Sequence, residues 1–379
     1  MYEGIDRYVL CLIEQSSPLK TAWNIEKVRK GEPADWNYID GCMLSALLEM
    51  AAICEDGRYF DFVEGFIDSF IADDGQIRTW NPAKQSLDDI SEGRILFSLF
   101  AATGKEKYKL AAHRLRAALD GHPRTAEGSF WHKQIYPNQV WLDGIYMAQV
   151  FAALYEKYFG QGDYSDILDQ IRIVRARMFD ESRGLYYHGY DASKTAFWAD
   201  EKTGLSKSFW LRAMGWFASA LADLCEILPH GSERKELGML LTEMMEGIEA
   251  YIDEKSGMYY QIVDMGGREG NYLETSGSCM IAYAMLKGAR LGILGKEYAA
   301  RGKKTFDGVV GRYLDLNADG IKLGGICLVA GLGPQNDSRR DGTYAYYISE
   351  PVVNNDAKGI APLILCYTEV KRALKSMKL

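Results

Sequence analysis

Two kinds of helical segment alternate along this chain, and no other feature limits its possible folds as strongly. The first kind carries one apolar stripe on a polar cylinder. In "RKELGMLLTEMMEGIEAYID" the stripe is Leu237, Leu240, Leu241, Met244, Met245, Ile248, Tyr251 and Ile252, and in "EKYKLAAHRLRAALDG" it is Tyr108, Ala111, Ala112, Leu115 and Leu119. Spacing of i, i+3, i+4 predicts an amphipathic helix with one wet face. The second kind is apolar or small nearly all round: "GCMLSALLEMAAI", "GRILFSLFAAT", "GIYMAQVFAALYEKY", "LRAMGWFASALADLC", "GSCMIAYAML" and "KGIAPLILCYTEV". Such helices are predicted to be buried on most sides, and their Gly, Ala and Ser content lets backbones approach closely.

One type of connector joins an amphipathic helix to the next buried one. It runs from an acid through a Gly into a β-like aromatic stretch, as in "ADDGQIRTW", "AEGSFWHKQIYP", "DESRGLYYHGY", "DEKSGMYYQIVD" and "NADGIKLGGICL". Each buried helix then opens on a polar residue: Asp40, Asp88/Asp89, Asp143, Ser208, Glu274/Thr275 and Asn355/Asp356. Free N–H groups and the helix dipole favour such residues there. The six starts lie roughly 50 to 80 residues apart, enough for a helix pair and a long loop. Six buried helices, each followed by an amphipathic partner, predict an all-α (α/α)6 barrel with short β-hairpins in the loops at one mouth. A solenoid would have more uniform repeats and shorter loops. The 379 residues, 47% of them hydrophobic, supply an ample core. Without a Pro/Gly/Ser-rich divider, residues 1–379 read as one domain.

All the long loops precede buried helices, so they gather at one end. Seven of the eight tryptophans lie there: Trp36, Trp80, Trp131, Trp141, Trp198, Trp210 and Trp216. Any one could be core packing. Seven beside carboxylates and amides predict a sugar cleft, in which rings stack on indoles while hydroxyls take directed hydrogen bonds. The charged groups at that end are Asp40, Asp88, Asp89, Arg94, His132, Lys133, Asp143, His188, Arg212 and Glu274. For each acid the plain alternative is helix capping. Two carboxylates flanking a bond would make a glycosidase, and Asp88 with Asp143 could serve. A carboxyl group following "VWL" is pulled two ways, because burial beside an indole favours the acid and the helix dipole favours the anion.

Several function classes are disfavoured. A net charge of -8 leaves no basic footprint for nucleic acid. The first residues, "MYEGIDRYVLCLIEQSS", do not read as a signal peptide, and no stretch reaches the apolar length of a membrane span. Seven scattered cysteines without a CxxC pair, and five histidines without HExxH spacing, predict reduced thiols and no metal or other cofactor. The expectation is a cytoplasmic protein, a monomer or weak homo-oligomer.

At "HPRTAEGSFWHKQIYPNQVWLDGIYMAQVF" a family resemblance becomes specific. With "WNYIDGCMLSAL", "SLDDISEGRILF", "GLSKSFWLRAMGWF" and "ETSGSCMIAYAML", the chain resembles the unsaturated rhamnogalacturonyl hydrolases of glycoside hydrolase family 105, related to the family 88 unsaturated glucuronyl hydrolases. The likeness runs from residue 36 to about 290 and is only general in the last ninety residues.

The resemblance implies an (α/α)6 barrel acting on a small oligosaccharide whose unsaturated uronic acid carries a C4=C5 double bond. It implies hydration of that bond rather than attack at the anomeric carbon. The Asp of the WLDG block, Asp143, matches the general acid/base, and Asp88 of "LDDI" matches a helper that holds substrate or water. Trp141, His132, Lys133, His188, Trp210, Arg212 and Trp216 fall around the sugar, and Asp40 is expected to join them. Arg212, Lys133 and His188 are the candidate partners of the uronate, with an Arg fork fitting a carboxylate best. The loop 331–358, with Arg339, Arg340 and its tyrosines, is expected to overhang the mouth. Competing readings are a glucuronyl hydrolase of glycosaminoglycan type, a non-catalytic sugar-binding protein, and a His-centred epimerase.

Overall fold

A computed structural model describes residues 2–316 and 321–376, so Asn317–Gly320 of the "NADGIKLGGICL" connector and the two chain ends lie outside the described residues. Twelve helices build an inner ring and an outer ring. The inner ones are α2 (Tyr38–Cys54), α4 (Ile95–Thr103), α6 (Val150–Tyr158), α8 (Leu211–Ile227), α10 (Thr275–Arg290) and α12 (Ala357–Ser376). The outer ones are α1 (Tyr2–Glu14), α3 (Gly57–Phe70), α5 (Glu106–Asp120), α7 (Ser165–Met178), α9 (Ser232–Glu249) and α11 (Glu297–Tyr313). This is the (α/α)6 barrel. Its closure differs from the sequence reading in one respect. The sixth outer helix precedes the first inner one instead of following the last. Helix α1 meets α12 through Lys371 and Asp6 (2.9 Å), and its Tyr8 hydroxyl donates to Asn355 Oδ1 at 2.7 Å.

The apolar stripes face inward as their spacing requires. Tyr108, Ala111, Ala112, Leu115 and Leu119 of α5 are buried, as are Leu237, Leu241, Met244, Met245 and Ile248 of α9. Tyr251 and Ile252 fall past the end of α9 and are half-buried. Inner helices pack through small residues. A Cβ added at Gly277 of α10 would lie 2.4 Å from the Leu211 side chain, and one at Gly41 of α2 would lie 2.8 Å from Glu92 Cα. Two inner helices are irregular where they begin at the mouth. A turn at Asp88–Ser91 and a 3-10 turn at Glu92–Arg94 lead into α4, while Leu142–Gly144 and a π-helical stretch, Ile145–Gln149, lead into α6.

Short strands decorate one end. β1 (Gln139–Trp141) pairs with β4 (Gly189–Asp191), β2 (Phe179–Asp180) with β3 (Leu185–Tyr186), β5 (Leu314–Asp315) with β6 (Lys322–Leu323), and β7 (Ile326–Cys327) with β8 (Val352–Val353), all antiparallel. Two of these are local hairpins; β1–β4 and β7–β8 tie distant loops together. At the opposite end of the lumen a cavity of about 180 Å³ is lined by Arg94, Asp223, Tyr283 and Lys287 among others. Arg94 therefore serves the far end, donating to Tyr146 Oη at 2.8 Å, and leaves the mouth cluster in which its sequence position had placed it. No helix among the described residues is long and apolar enough to cross a membrane.

Candidate active site

Three loops are stitched side by side at the mouth, and the stitching explains which side chains meet. Ser86 bridges Lys133, and Leu87 N–H donates to His132 C=O at 3.1 Å. His132 N–H donates to Gln139 C=O at 2.8 Å, so the FWHK segment runs beside the start of β1. In turn β1 pairs with β4 in the register Trp141 to Gly189, and Leu142 N–H donates to His188 C=O at 3.0 Å. Asp88, His132, Lys133, Trp141, Asp143 and His188 are brought together from four parts of the sequence.

Two acid–base pairs result. Asp88 lies with Oδ1 3.4 Å from His132 Nε2 and Oδ2 2.5 Å from Lys133 Nζ. Burial pushes the Asp88 carboxyl up, but the Lys133 ammonium outweighs it and holds the group below the usual carboxylate range. Burial lowers His132 to about 4, so it is a neutral imidazole at pH 7. Asp143 Oδ2 lies 3.3 Å from His188 Nε2, off the hydrogen-bonding direction, and has no hydrogen-bond partner among the described residues. His188 is fully buried, and its Nδ1 lies 2.6 Å from Tyr347 Oη.

Asp143 is not a cap. The residue before its helical turn is Trp141, with no side-chain cap bond, whereas Glu274 caps α10 by accepting from Gly277 N–H at 2.7 Å. Asp40 departs from the expectation of a sugar contact. It is fully buried, and its two oxygens accept from Thr21 Oγ1, Trp23 Nε1, Asn24 Nδ2 and Asn37 Nδ2, so four donors fix it in the wall of the barrel. Ser208 also caps nothing: its hydroxyl donates to Gly342 C=O, and α8 starts three residues later. Gly144 has an ordinary helical φ of -59°. Space is what requires it, because a Cβ there would sit 3.0 Å from Leu87 Cδ1 and 3.4 Å from His132 Nδ1. Asp89, next to Asp88, contributes no side-chain contact to either pair; burial and then the neighbouring Asp88 charge push it up to about 6.

The aromatic groups form walls more than stacking platforms. Trp36, Trp141, Trp198, Trp210 and Trp216 are buried, leaving Trp80 and Trp131 half-buried. Trp141 stacks on His132 with centroids 4.2 Å apart, and Tyr136 covers it at 4.7 Å. Trp210 lies 4.7 Å from the His188 ring. Arg212 sits over Trp210, almost fully buried, and donates through Nη2 to Cys327 C=O, while its Nε has no partner among the described residues. Trp216 packs on Tyr146 at 4.6 Å and on Tyr38 at 6.5 Å. Tyr136 is no candidate in the sequence, and Tyr347 is only one of several tyrosines in the loop expected to overhang the mouth. Tyr136 lies inside the quoted "YPNQ" block, but nothing in the string "TYAYYISE" says which tyrosine turns inward.

A helical toroid with two buried carboxylates and an aromatic wall at one mouth fits a carbohydrate-active enzyme. The comparisons specify which. The sequence model of Glycosyl Hydrolase Family 88 matches residues 15–374, and the chain belongs to that family. A family 105 glycoside hydrolase from C. acetobutylicum superposes with a TM-score of 0.90 at 39% identity, covering 98% of this chain and 99% of that one. The unsaturated rhamnogalacturonyl hydrolase YesR of Bacillus subtilis is 25% identical over 272 residues, which is 68% of this chain and 72% of YesR. The unsaturated glucuronyl hydrolase of Bacillus sp. GL1 shares the fold, with a TM-score of 0.72 at 14% identity, covering 98% of this chain and 97% of that one.

Proposed function

We propose that this enzyme removes the 4,5-unsaturated galacturonyl residue from lyase-generated rhamnogalacturonan disaccharides, with Asp143 as general acid and then base. The single observation that carries this is a carboxyl group at the mouth, beside a buried histidine, that no cap or lysine engages. The family and the name of YesR support the substrate class.

The chemistry needs one proton delivered and one recovered. Asp143 gives its proton to C4, and the positive charge that forms at C5 is shared with the ring oxygen. Water adds to C5 and loses a proton to the Asp143 carboxylate. The resulting hemiketal opens by breaking the bond between C5 and the ring oxygen, leaving a ketone at C5 and a hemiacetal at C1. Collapse of that hemiacetal releases the neighbouring sugar, so one water is consumed overall. Asp88, kept anionic by Lys133, orients water or a sugar hydroxyl. The Lys133 ammonium has three donors, of which Asp88 takes one, and its side chain is 26% exposed. We assign it to the uronate in preference to Arg212, whose guanidinium is buried against Cys327.

Incubation with the unsaturated rhamnogalacturonan disaccharide tests this. Loss of the double-bond ultraviolet absorbance with free rhamnose by mass spectrometry is expected, and Asp143→Asn should lower turnover by about 10²–10⁴-fold while still binding the disaccharide. Full turnover by Asp143→Asn removes the acid assignment. Faster loss of absorbance with a glycosaminoglycan disaccharide moves the substrate to the glucuronyl class.

A further inference from the structure

Tyr347 belongs to a short helix, Tyr344–Ser349, that lies 159 residues from His188 along the chain. Its ring is fully buried against Trp210 (5.7 Å, nearly parallel) and His188 (5.9 Å). Its hydroxyl lies 2.6 Å from His188 Nδ1 and has no other hydrogen-bond partner among the described residues. A phenol in that position must place its hydrogen somewhere. If Nδ1 carried the imidazole hydrogen and donated it to the phenol oxygen, the phenol O–H would be left buried with no acceptor, a costly arrangement. If the phenol donates to Nδ1, the imidazole hydrogen sits on Nε2, which faces Asp143 Oδ2 at 3.3 Å.

The geometry points to Tyr347 as a positioning residue that fixes His188 in the tautomer with hydrogen on Nε2, the atom 3.3 Å from Asp143 Oδ2, where a carboxylate forms once the proton has left for C4. The inference rests on the proposed reaction for its catalytic consequence and on geometry alone for the tautomer. No proton travels along the Tyr347–His188–Asp143 line; the Tyr347–His188 hydrogen bond holds the ring while the Nε2–H turns onto Asp143 as negative charge appears there. The other titratable groups around this line are His132, Asp88 and Lys133 on the facing loops, and Tyr346, Asp341 and Cys327 beside Tyr347. Arg212 lies over Trp210.

Two measurements test it. In ¹⁵N-histidine-labelled wild-type protein without substrate, His188 should show a protonated Nε2 and an unprotonated Nδ1 at pH 7. The reverse tautomer overturns the inference, whatever the substrate proves to be. Tyr347→Phe should then give mixed tautomers. With the unsaturated disaccharide its kcat should fall roughly tenfold at a KM within about twofold, with the alkaline limb of the kcat–pH profile moved to higher pH. The sign follows because losing the Nε2–H donor leaves the carboxylate less stabilised, so the acid keeps its proton to higher pH. Unchanged kcat and an unmoved limb in a folded variant also overturn it. If wild-type enzyme leaves the disaccharide intact, the substrate reading fails while the tautomer measurement still stands as the test. Should Tyr347→Phe fail to melt cooperatively, the wild-type spectrum decides alone.

Discussion

At the scale of single residues, the mouth keeps adjacent titratable groups in opposite states. His132 is buried neutral at about 4, so the unfolded chain binds its proton more readily than the folded one. Stability should therefore be lost as pH falls from 6.5 through about 4, by up to about 3 kcal/mol. Asp89 runs the other way. Its carboxyl is raised to about 6, so the folded protein holds that proton more tightly and loses stability as pH rises from about 4 through 6. Asp89→Asn should accordingly raise stability at pH 7 by up to about 2 kcal/mol, less whatever solvent screens at this half-buried site, and add little at pH 4. Urea titrations at the two pH values check both signs. A gain at pH 4 equal to that at pH 7 would show that the effect is not electrostatic. Sequence reading located Asp88, Asp143 and both histidines because they sit in contiguous motifs. It could not separate a capping acid from an unengaged one. Asp40 and Asp143 both sit near helix starts, and only the donors around each differ.

At the scale of elements, inner helices are held by what they lack. Gly277 of α10 faces Leu211 of α8, and an alanine Cβ there would come within 2.4 Å of the leucine side chain and 3.0 Å of its carbonyl carbon. Leu211 begins the helix that carries Arg212 and follows Trp210, so the clash transmits to the mouth. Gly277→Ala should cost about 1–3 kcal/mol, read as a lowered melting temperature, because overpacking in a dense interior forces backbone shifts. Gly311, in outer helix α11, meets nothing within 4 Å. Gly311→Ala should be neutral or gain up to about 1 kcal/mol from helix propensity, and comparing the two melts separates packing from propensity. The π-helical stretch Ile145–Gln149, directly after Asp143, was not readable, since i→i+5 bonding leaves no residue signature of its own. Helix periodicity, in contrast, is written locally. That is why the stripe of α5 is legible residue by residue, and why the apolar pattern of α9 runs on through Tyr251 and Ile252 although the helix ends at Glu249.

At the scale of the whole molecule, the ring is closed by pairs far apart in sequence. Lys358 Nζ meets Glu26 at 2.7 Å, and Lys371 meets Asp6. Helix α1 also inserts Ile5, Tyr8, Val9 and Leu12 into the common core. Four such side chains contribute about 1.5–3 kcal/mol each, a sum comparable with the 5–15 kcal/mol that keeps a typical protein folded. Deleting residues 2–14 should therefore abolish the cooperative melt, whereas a stable, cooperatively melting truncated chain would mean that the other eleven helices close without α1. One buried cluster reaches from Ile5 to Val370, and we propose that the chain unfolds as one domain. Urea unfolding followed by circular dichroism and by tryptophan fluorescence should then give coincident transitions. Two resolved steps would divide the chain.

The sequence by itself determined the helical alternation, the end at which the long loops gather, and the motifs that hold Asp88 and Asp143, because periodicity, capping and short motifs are properties of neighbouring residues. Only the tertiary structure decided that Trp141 is a wall under Tyr136, that Asp40 is fully engaged, that Arg212 is turned to Cys327, and that Tyr347 reaches His188. Those outcomes depend on which donors and acceptors find one another once loops from four parts of the chain lie side by side. Hydrogen-bond satisfaction in a buried site is a condition on all of them together, and no single segment carries it.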